Sequence, residues 1–225
     1  MLRTLYDTDV TTWSPQGKLF QVDYAMEAVK QGSVCMGLRS QHHAVLCSLK
    51  RSPLELANFF EKVFKVDDHV GMAMSGLTAD GRILCKYMRS ECLNYKFTYG
   101  SNHPVGRLIS KVGDKSQVKT QNASKRPYGV GLLVAGMDQD GPHIFETCPS
   151  GNYYEYFCYA IGARSQAAKT YFENYLEKIK KAPSAENLAL HALSALKKCS
   201  QEGDDINEKS VEMAIISTDG YKLSS

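Results

Sequence analysis

The strongest constraint on this chain is the order in which its apolar period changes. Stretches with period-2 alternation stand in blocks, and stretches with a 3.6-residue period stand in pairs between them. "SVCMGLR" (33–39) and "HAVLCSL" (43–49) flank a polar "SQH", which predicts a hairpin. "KVFKVDD" and "HVGMAMSG" predict a second, with Val70, Met72 and Met74 alternating against Gly71, Ala73 and Ser75. Two helices follow: one with Thr78 as its expected N-cap and Leu84, Tyr87, Met88, Cys92 and Tyr95 on one face, then one from Val105 toward Gln117. Strands return at 128–136, 143–148 and 152–162. A helix through Ala168, Phe172 and Ile179 ends before Pro183, Ser184 caps another through Leu188, Ala192 and Leu196, and Val211 to Ser217 closes with a strand. Helix pairs between blocks of antiparallel strands predict a four-layer α/β/β/α sandwich of two antiparallel sheets, one domain over residues 1–225.

Ahead of this lies "KLFQVDYAMEAVKQG" (18–32), an amphipathic helix with one apolar stripe too many. Leu19, Val22, Met26 and Val29 share the expected core face. Phe20, Tyr24 and Ala28 form a second stripe, and Asp23, Glu27 and Lys30 are squeezed into the wedge between them. Something beyond the helix's own core face is expected to cover that second stripe.

Function classes fall away quickly. With 27 basic and 24 acidic residues the net charge is only +3, which makes no case for nucleic acid or an anionic membrane. No apolar run approaches the roughly 20 residues of a membrane span, and "MLRTLYDTDV" lacks a signal-peptide core, so an intracellular protein is expected. Seven scattered cysteines without CxxC spacing suit reduced, buried thiols, and the Asn122 sequon is disregarded on the same compartment argument. No GxSxG, Walker or HExxH motif is present, and neither cofactor nor metal is expected. His42-His43 and the acids Asp67-Asp68 and Asp204-Asp205 read as solvated turn residues.

One constellation points to chemistry. Ser33 follows Gly32 at the start of the first strand of an α/β/β/α candidate. In N-terminal-nucleophile hydrolases, cleavage after such a glycine frees an α-amino group that serves as base for the adjacent hydroxyl. The plainer alternative has Gly32 ending the opening helix as its C′ residue and Ser33 beginning a strand.

"YDTDVTTWSPQGKLFQVDYAMEAVKQGS" (6–33) resembles the N-terminal signature of proteasome α-type subunits. "GLTADGRILC", "KRPYGVGLLVAGMDQDGPHIF" and "IGARSQAAKTY" continue the similarity, and "AMEAVKQGS" with "TCPSGNYYEY" and "ARSQAAKTY" resembles a single subtype within the family. The resemblance implies an N-terminal-nucleophile hydrolase-like sandwich with the opening helix, 18–32, lying across its top in a seven-membered ring. A neighbouring subunit would then cover part of the second stripe.

It also implies a non-catalytic subunit of a threonine-type protease complex, because α-type chains keep the helix that active β-type chains shed. Lys50 appears where the catalytic acid would be, and a lysine cannot accept the hydrogen bond a carboxylate would. Residues 1–17 correspond to the family's gate segment, in which Tyr6, Asp7, Pro15 and Tyr24 match the cluster that orders the open pore, with a tyrosine hydroxyl donating to Asp7 from a neighbouring subunit. Thr8 departs from the family's usual Tyr-Asp-Arg. Lys62 matches the lysine of the groove where C-terminal tails of regulatory-particle ATPases or other activators dock, with Gly32 and Leu77 lining it. Implied partners are two α neighbours, β-ring subunits, activators and unfolded polypeptide in transit, in cytoplasm and nucleus, within ubiquitin-dependent degradation.

Overall fold

The computed structural model describes residues 5–50, 60–200, 206–207 and 210–224. The opening helix α1 (Phe20–Gln31) leads into β1 (Cys35–Arg39), β2 (Ala44–Leu49), β3 (Val63–Asp67) and β4 (Val70–Gly76). Helices α2 (Thr78–Tyr99) and α3 (Val105–Thr120) follow, then β5 (Val130–Asp138), β6 (Gly141–Thr147), β7 (Tyr153–Glu155) and β8 (Cys158–Ile161). Helices α4 (Ser165–Lys180) and α5 (Ala185–Cys199) precede β9 (Val211–Ser217) and β10 (Gly220–Ser224). One sheet has the order β10-β9-β2-β1-β8, the other β3-β4-β5-β6-β7, and every pairing is antiparallel.

Three apolar layers hold this together, as the block order predicts. Met36, Leu38 and Val45 of the first sheet pack on Phe172, Leu188 and Leu196 of α4 and α5. Val70, Met72 and Met74 of the second sheet pack on Leu84, Met88 and Ile109 of α2 and α3. Between the sheets lie Leu46, Ala73, Leu133, Ile144 and Ile216. The alternation along β4 therefore sorts large residues to the helices and small ones to the opposing sheet. A Cβ on Gly71 would stand 2.6 Å from the Tyr221 ring, so the missing side chain sets how closely the sheets approach there.

Several expectations are corrected. The run 152–162 is not one strand: β7 joins the second sheet and β8 the first. The Tyr156 amide still donates to Ile144 O, at 2.9 Å, while Phe157 O already accepts from the Arg39 amide at 2.8 Å. Thr78 does not cap α2; Leu77 occupies that position without a side-chain bond. Ser184 does cap α5, its hydroxyl accepting from the Asn187 amide at 3.3 Å. Gly32 is extended (φ −68°, ψ 162°), not left-handed. His42 is exposed, but His43 is half-buried with its Nδ1 sealed from solvent. Asp68 is exposed and paired with Lys65 at 2.7 Å, whereas Asp67 is half-buried; Asp204 and Asp205 lie outside the described residues. Five of the seven free cysteines are buried and two half-buried. No helix among the described residues is long and apolar enough to cross a membrane.

Candidate functional site

α1 seats differently from the simple stripe. It buries Phe20, Val22, Ala25 and Val29, leaving Met26 39% exposed and Leu19 half-buried before the helix begins. Val29 joins the inter-sheet core. Of the second stripe, Phe20 is buried, Ala28 half-buried and Tyr24 exposed, its ring stacked on Phe20 at 6.3 Å. The chain's own N-terminal segment reaches this face: the Tyr24 hydroxyl donates to Asp7 Oδ2 at 3.1 Å and Gln21 Nε2 donates to the Asp7 carbonyl. This Tyr24–Asp7 contact lies within one chain and is distinct from the donation to Asp7 expected from a neighbouring subunit.

Of the residues expected at the gate, Tyr6 and Asp7 are adjacent and half-buried, and Tyr24 meets Asp7. Pro15 is exposed in a tight turn where Ser14 does most of the bonding. Its amide donates to Lys18 O (2.9 Å), its carbonyl accepts from the Gly17 amide (2.9 Å) and its hydroxyl accepts from the Lys18 amide (3.0 Å). Gly17 at φ 74° closes the turn. Thr8 is exposed, and Asp9 accepts from the Thr11 amide and hydroxyl at 3.2 and 3.1 Å.

The end of α1 is fastened at a junction of three glycines. A Cβ on Gly32 would lie well inside the van der Waals envelope of the Gly76 amide and the Ser75 hydroxyl. Gly162, at φ 94°, likewise has room for none: its Cβ would sit 2.5 Å from Ser33 O and 2.7 Å from Ser75 Oγ. Ser75 Oγ donates to Val29 O at 2.9 Å, and the Ala163 amide donates to Gly32 O at 2.8 Å. This close approach is the reason for glycine at position 32, where the sequence suggests a left-handed cap.

The expected docking residues surround that junction. Leu77 directly follows Gly76, is half exposed, and its amide donates to Gly129 O at 2.8 Å. Next to it, the Thr78 hydroxyl accepts from Lys62 Nζ at 3.3 Å. Lys62 is held from behind by a residue that sequence reasoning misses: buried Glu212 of β9, whose Oε2 accepts the amides of Lys62 (2.8 Å) and Val63 (3.1 Å). A carboxylate within the apolar strand "VEMAIIS" is the available signal. Gln21, Ser75 and Gly162 are missed as well, and their partners lie too far along the chain for any local pattern to mark them.

Ser33 is half-buried, and its nitrogen is tied up in the peptide bond to Gly32. An amide nitrogen is no base, so the hydroxyl has no general base of the kind an N-terminal nucleophile requires. Lys50 donates its amide to Ser210 O at 2.7 Å. The neighbouring Cys35 is no substitute: burial pushes its thiol up to about 11, against the opposing pull of the Ser48 hydrogen bond and the Lys62 charge. No group of three or more His, Cys, Asp or Glu side chains among the described residues could hold a metal ion.

Comparison with known proteins matches the same parts of the chain. Residues 6–28 match the family model for the N-terminal signature of A-type proteasome subunits, and residues 29–216 match that of the proteasome subunit. The chain is 54% identical to the alpha type-1 proteasome subunit of Dictyostelium discoideum, over 96% of this chain and 87% of the relative. It is 45% identical to the alpha type-1 proteasome subunit of Drosophila melanogaster (97% and 79% covered). With the probable alpha type-6 proteasome subunit of Schizosaccharomyces pombe it shares 47% identity (97% and 80% covered). The signature spans Asp7, Gln21 and Tyr24, the residues that staple the N-terminal segment to α1, and the second match spans both sheets: the chain belongs to the proteasome subunit family, in its α-type branch.

Proposed function

We propose that this chain is a non-catalytic subunit of the outer α ring of the 20S proteasome, of the subtype named alpha type-1 in the Dictyostelium and Drosophila relatives. In this reading it stands between two α neighbours and above β-ring subunits. Its N-terminal segment contributes to the axial gate that admits unfolded polypeptide, and the groove beside Lys62 receives the C-terminal tails of regulatory ATPases or other activators. The setting is ubiquitin-dependent degradation in cytoplasm and nucleus.

The observation that carries the reading is the continuous path from Asp7 through α1 into Ser33, stapled at Asp7 and fastened at Gly32. A chain built to expose Ser33 as its N-terminus would discard that whole assembly. Lys62 supports the docking role: half-buried, propped by Glu212 and Thr78, it presents an oriented ammonium suited to a terminal carboxylate.

Native mass spectrometry of tagged chain purified from its source tests the assembly, and denaturing intact mass tests the N-terminus. A multisubunit particle containing the chain with residues preceding Ser33 retained is expected. A monomer beginning at Ser33 refutes the reading and favours a self-processing amidohydrolase. Within the particle, Lys62→Ala is expected to weaken activation by a tail peptide while leaving basal peptide hydrolysis unchanged, and Asp7→Ala to change basal hydrolysis.

A further inference from the structure

Helices α4 and α5 form a hairpin, with Pro183 in the link and Ser184 capping the second helix. Their core faces carry Ala168, Phe172 and Ile179 on one helix and Leu188, Ala192 and Leu196 on the other. One step round each helix the residues change character. Tyr171, Tyr175 and Lys178 follow i, i+4, i+7 on α4, and Asn187, His191 and Ser194 follow the same spacing on α5. Between the two helices lies a groove of about 260 Å3, whose apolar lining is Ala182, Pro183 and Leu190, the last of them 60% exposed.

The groove has an aromatic side. The rings of Tyr171 and Tyr175 stack at 4.5 Å, and the His191 ring lies 6.1 Å from each. The Tyr171 hydroxyl and His191 Nδ1 are 3.1 Å apart, a contact that fixes the angle of the imidazole. The polar lining is one-sided. None of its residues is acidic, while Lys178, the Asn187 amide and the Ser194 hydroxyl can all donate. Lys180 pairs with Glu177 at 3.2 Å, but Lys178 pairs with no carboxylate among the described residues, and its ammonium lies 5.4 Å from the Tyr175 ring centroid.

We propose that the groove between α4 and α5 is a binding site for a small aromatic anion, its ring against Tyr171 and His191 and its carboxylate or phosphate held by Lys178 and the His191 Nε2–H. The anion selects the tautomer in which Tyr171 donates to Nδ1 and the ring proton sits on Nε2. Size and charge exclude other classes. At about 260 Å3 the groove lies below the roughly 300–1,000 Å3 of pockets for drug-sized ligands, so one ring with its anionic group fits and a dinucleotide does not. An amine would meet an ammonium with no carboxylate to balance it, and a nucleic-acid strand would call for a row of cations where the groove has one. Burial, with the Lys178 charge adding to it, pushes His191 below the ordinary histidine value, so the ring is neutral at pH 7. Tyr171, Tyr175 and Lys178 face it from α4, and Asn187 and Ser194 flank it on its own helix. A bound anion favours the imidazolium, so binding tightens as pH falls and His191 takes up a proton.

The test is photolabelling of the tagged full-length chain with para-azidobenzoate. Light expels dinitrogen from the azide, and the nitrene left behind inserts into a neighbouring C–H or N–H bond. Peptide mapping is expected to place the label within residues 171–194, with labelling that rises as pH is lowered from about 7.5 to about 5.5. Benzoate and phenyl phosphate are expected to compete, and the stronger of the two identifies the anionic group as carboxylate or phosphate. Neutral benzamide, of the same shape as benzoate, is expected to compete about fivefold less well, the worth of one ion pair near the surface. Lys178→Ala should reduce labelling by about the same factor, Lys178→Arg should retain it, and neither should change the melting temperature of the chain. Label found only outside 171–194, equal competition by benzamide, or undiminished labelling of Lys178→Ala overturns the proposal. The subunit reading above is independent of every one of these outcomes, because the groove is built within one chain.

Discussion

Replacing Gly32 by alanine tests the glycine junction directly. The added Cβ would collide with the Gly76 amide and the Ser75 backbone, and backbone cannot rotate aside as a side chain does. Relief requires α1 to lift or the β4–α2 link to shift. Overpacking of this kind costs about 3 kcal/mol, the upper part of the usual range. For a chain of this size, at about 2–4 °C per kcal/mol, the melting temperature should fall by roughly 6–12 °C. Two further substitutions separate steric collision from the general effect of replacing glycine. Gly106, inside α3, has only Phe145 Cζ at 3.7 Å, so Gly106→Ala should gain about 0.5–1 kcal/mol from helix propensity. Gly100 has open space but φ 67°, so Gly100→Ala should lose about 1 kcal/mol to backbone strain alone. The assay is thermal unfolding of the isolated chain followed by near-ultraviolet circular dichroism. If Gly32→Ala melts within a degree of wild type, or no lower than Gly100→Ala, the fastening of α1 has been misjudged.

Three other outcomes follow from the same contacts. Tyr24→Phe removes the bond to Asp7, worth about 1 kcal/mol, so amides around Asp7 should exchange roughly fivefold faster by mass spectrometry, and unchanged exchange would show the bond idle. Burial alone would raise the Asp80 carboxyl, but the Arg126 pair at 2.6 and 3.0 Å and the Gly129 amide at 2.9 Å hold it below the usual range. Its stabilisation is therefore complete above the unfolded value of about 4 and is lost as pH falls through the lower folded one; Asp80→Asn should flatten the acid limb of stability below about pH 4 in urea titrations, and an unaltered limb refutes the assignment. Burial raises all seven thiols, Cys35 and Cys158 to about 11 and Cys47, Cys92 and Cys148 to about 12. At pH 8 a thiol near 11 is thiolate to roughly one part in a thousand, so iodoacetamide should add fewer than one group per native chain and seven after denaturation; prompt labelling of the folded chain refutes this.

Element type and layer order are legible because they rest on periodicity, and Ser184 caps its helix because hydroxyl and amide are three residues apart. Local pattern misleads where a distant partner decides the outcome. Thr78 has the right chemistry for a cap, yet it is already the first residue of α2, and its hydroxyl meets Lys62, sixteen residues earlier. The aromatic run 152–162 reads as one continuous strand, and the bonds to the backbones of Ile144 and Arg39 mark where it changes sheets. Gly32 reads as glycine chosen for its torsion, whereas it is glycine chosen for lack of bulk against residues 44 positions away. The site is similar: its residue types are visible in the motifs, while the props Glu212, Gln21 and Ser75 depend on contacts that no local spacing encodes.

The staple between Asp7 and α1 bears on how the chain meets its neighbours. Ordering a backbone residue costs about 1–2 kcal/mol, and a segment that first orders on association takes that from the affinity. Here Asp7 is held by Gln21 and Tyr24 of its own helix, so the free chain already holds the backbone at Asp7 against α1. Association can then be fast and shape-selective, with little of the induced rearrangement that slows assembly of unstructured arms. A neighbour that offers Asp7 a better donor than Tyr24 competes with an exposed hydrogen bond and a side-chain amide of the same chain.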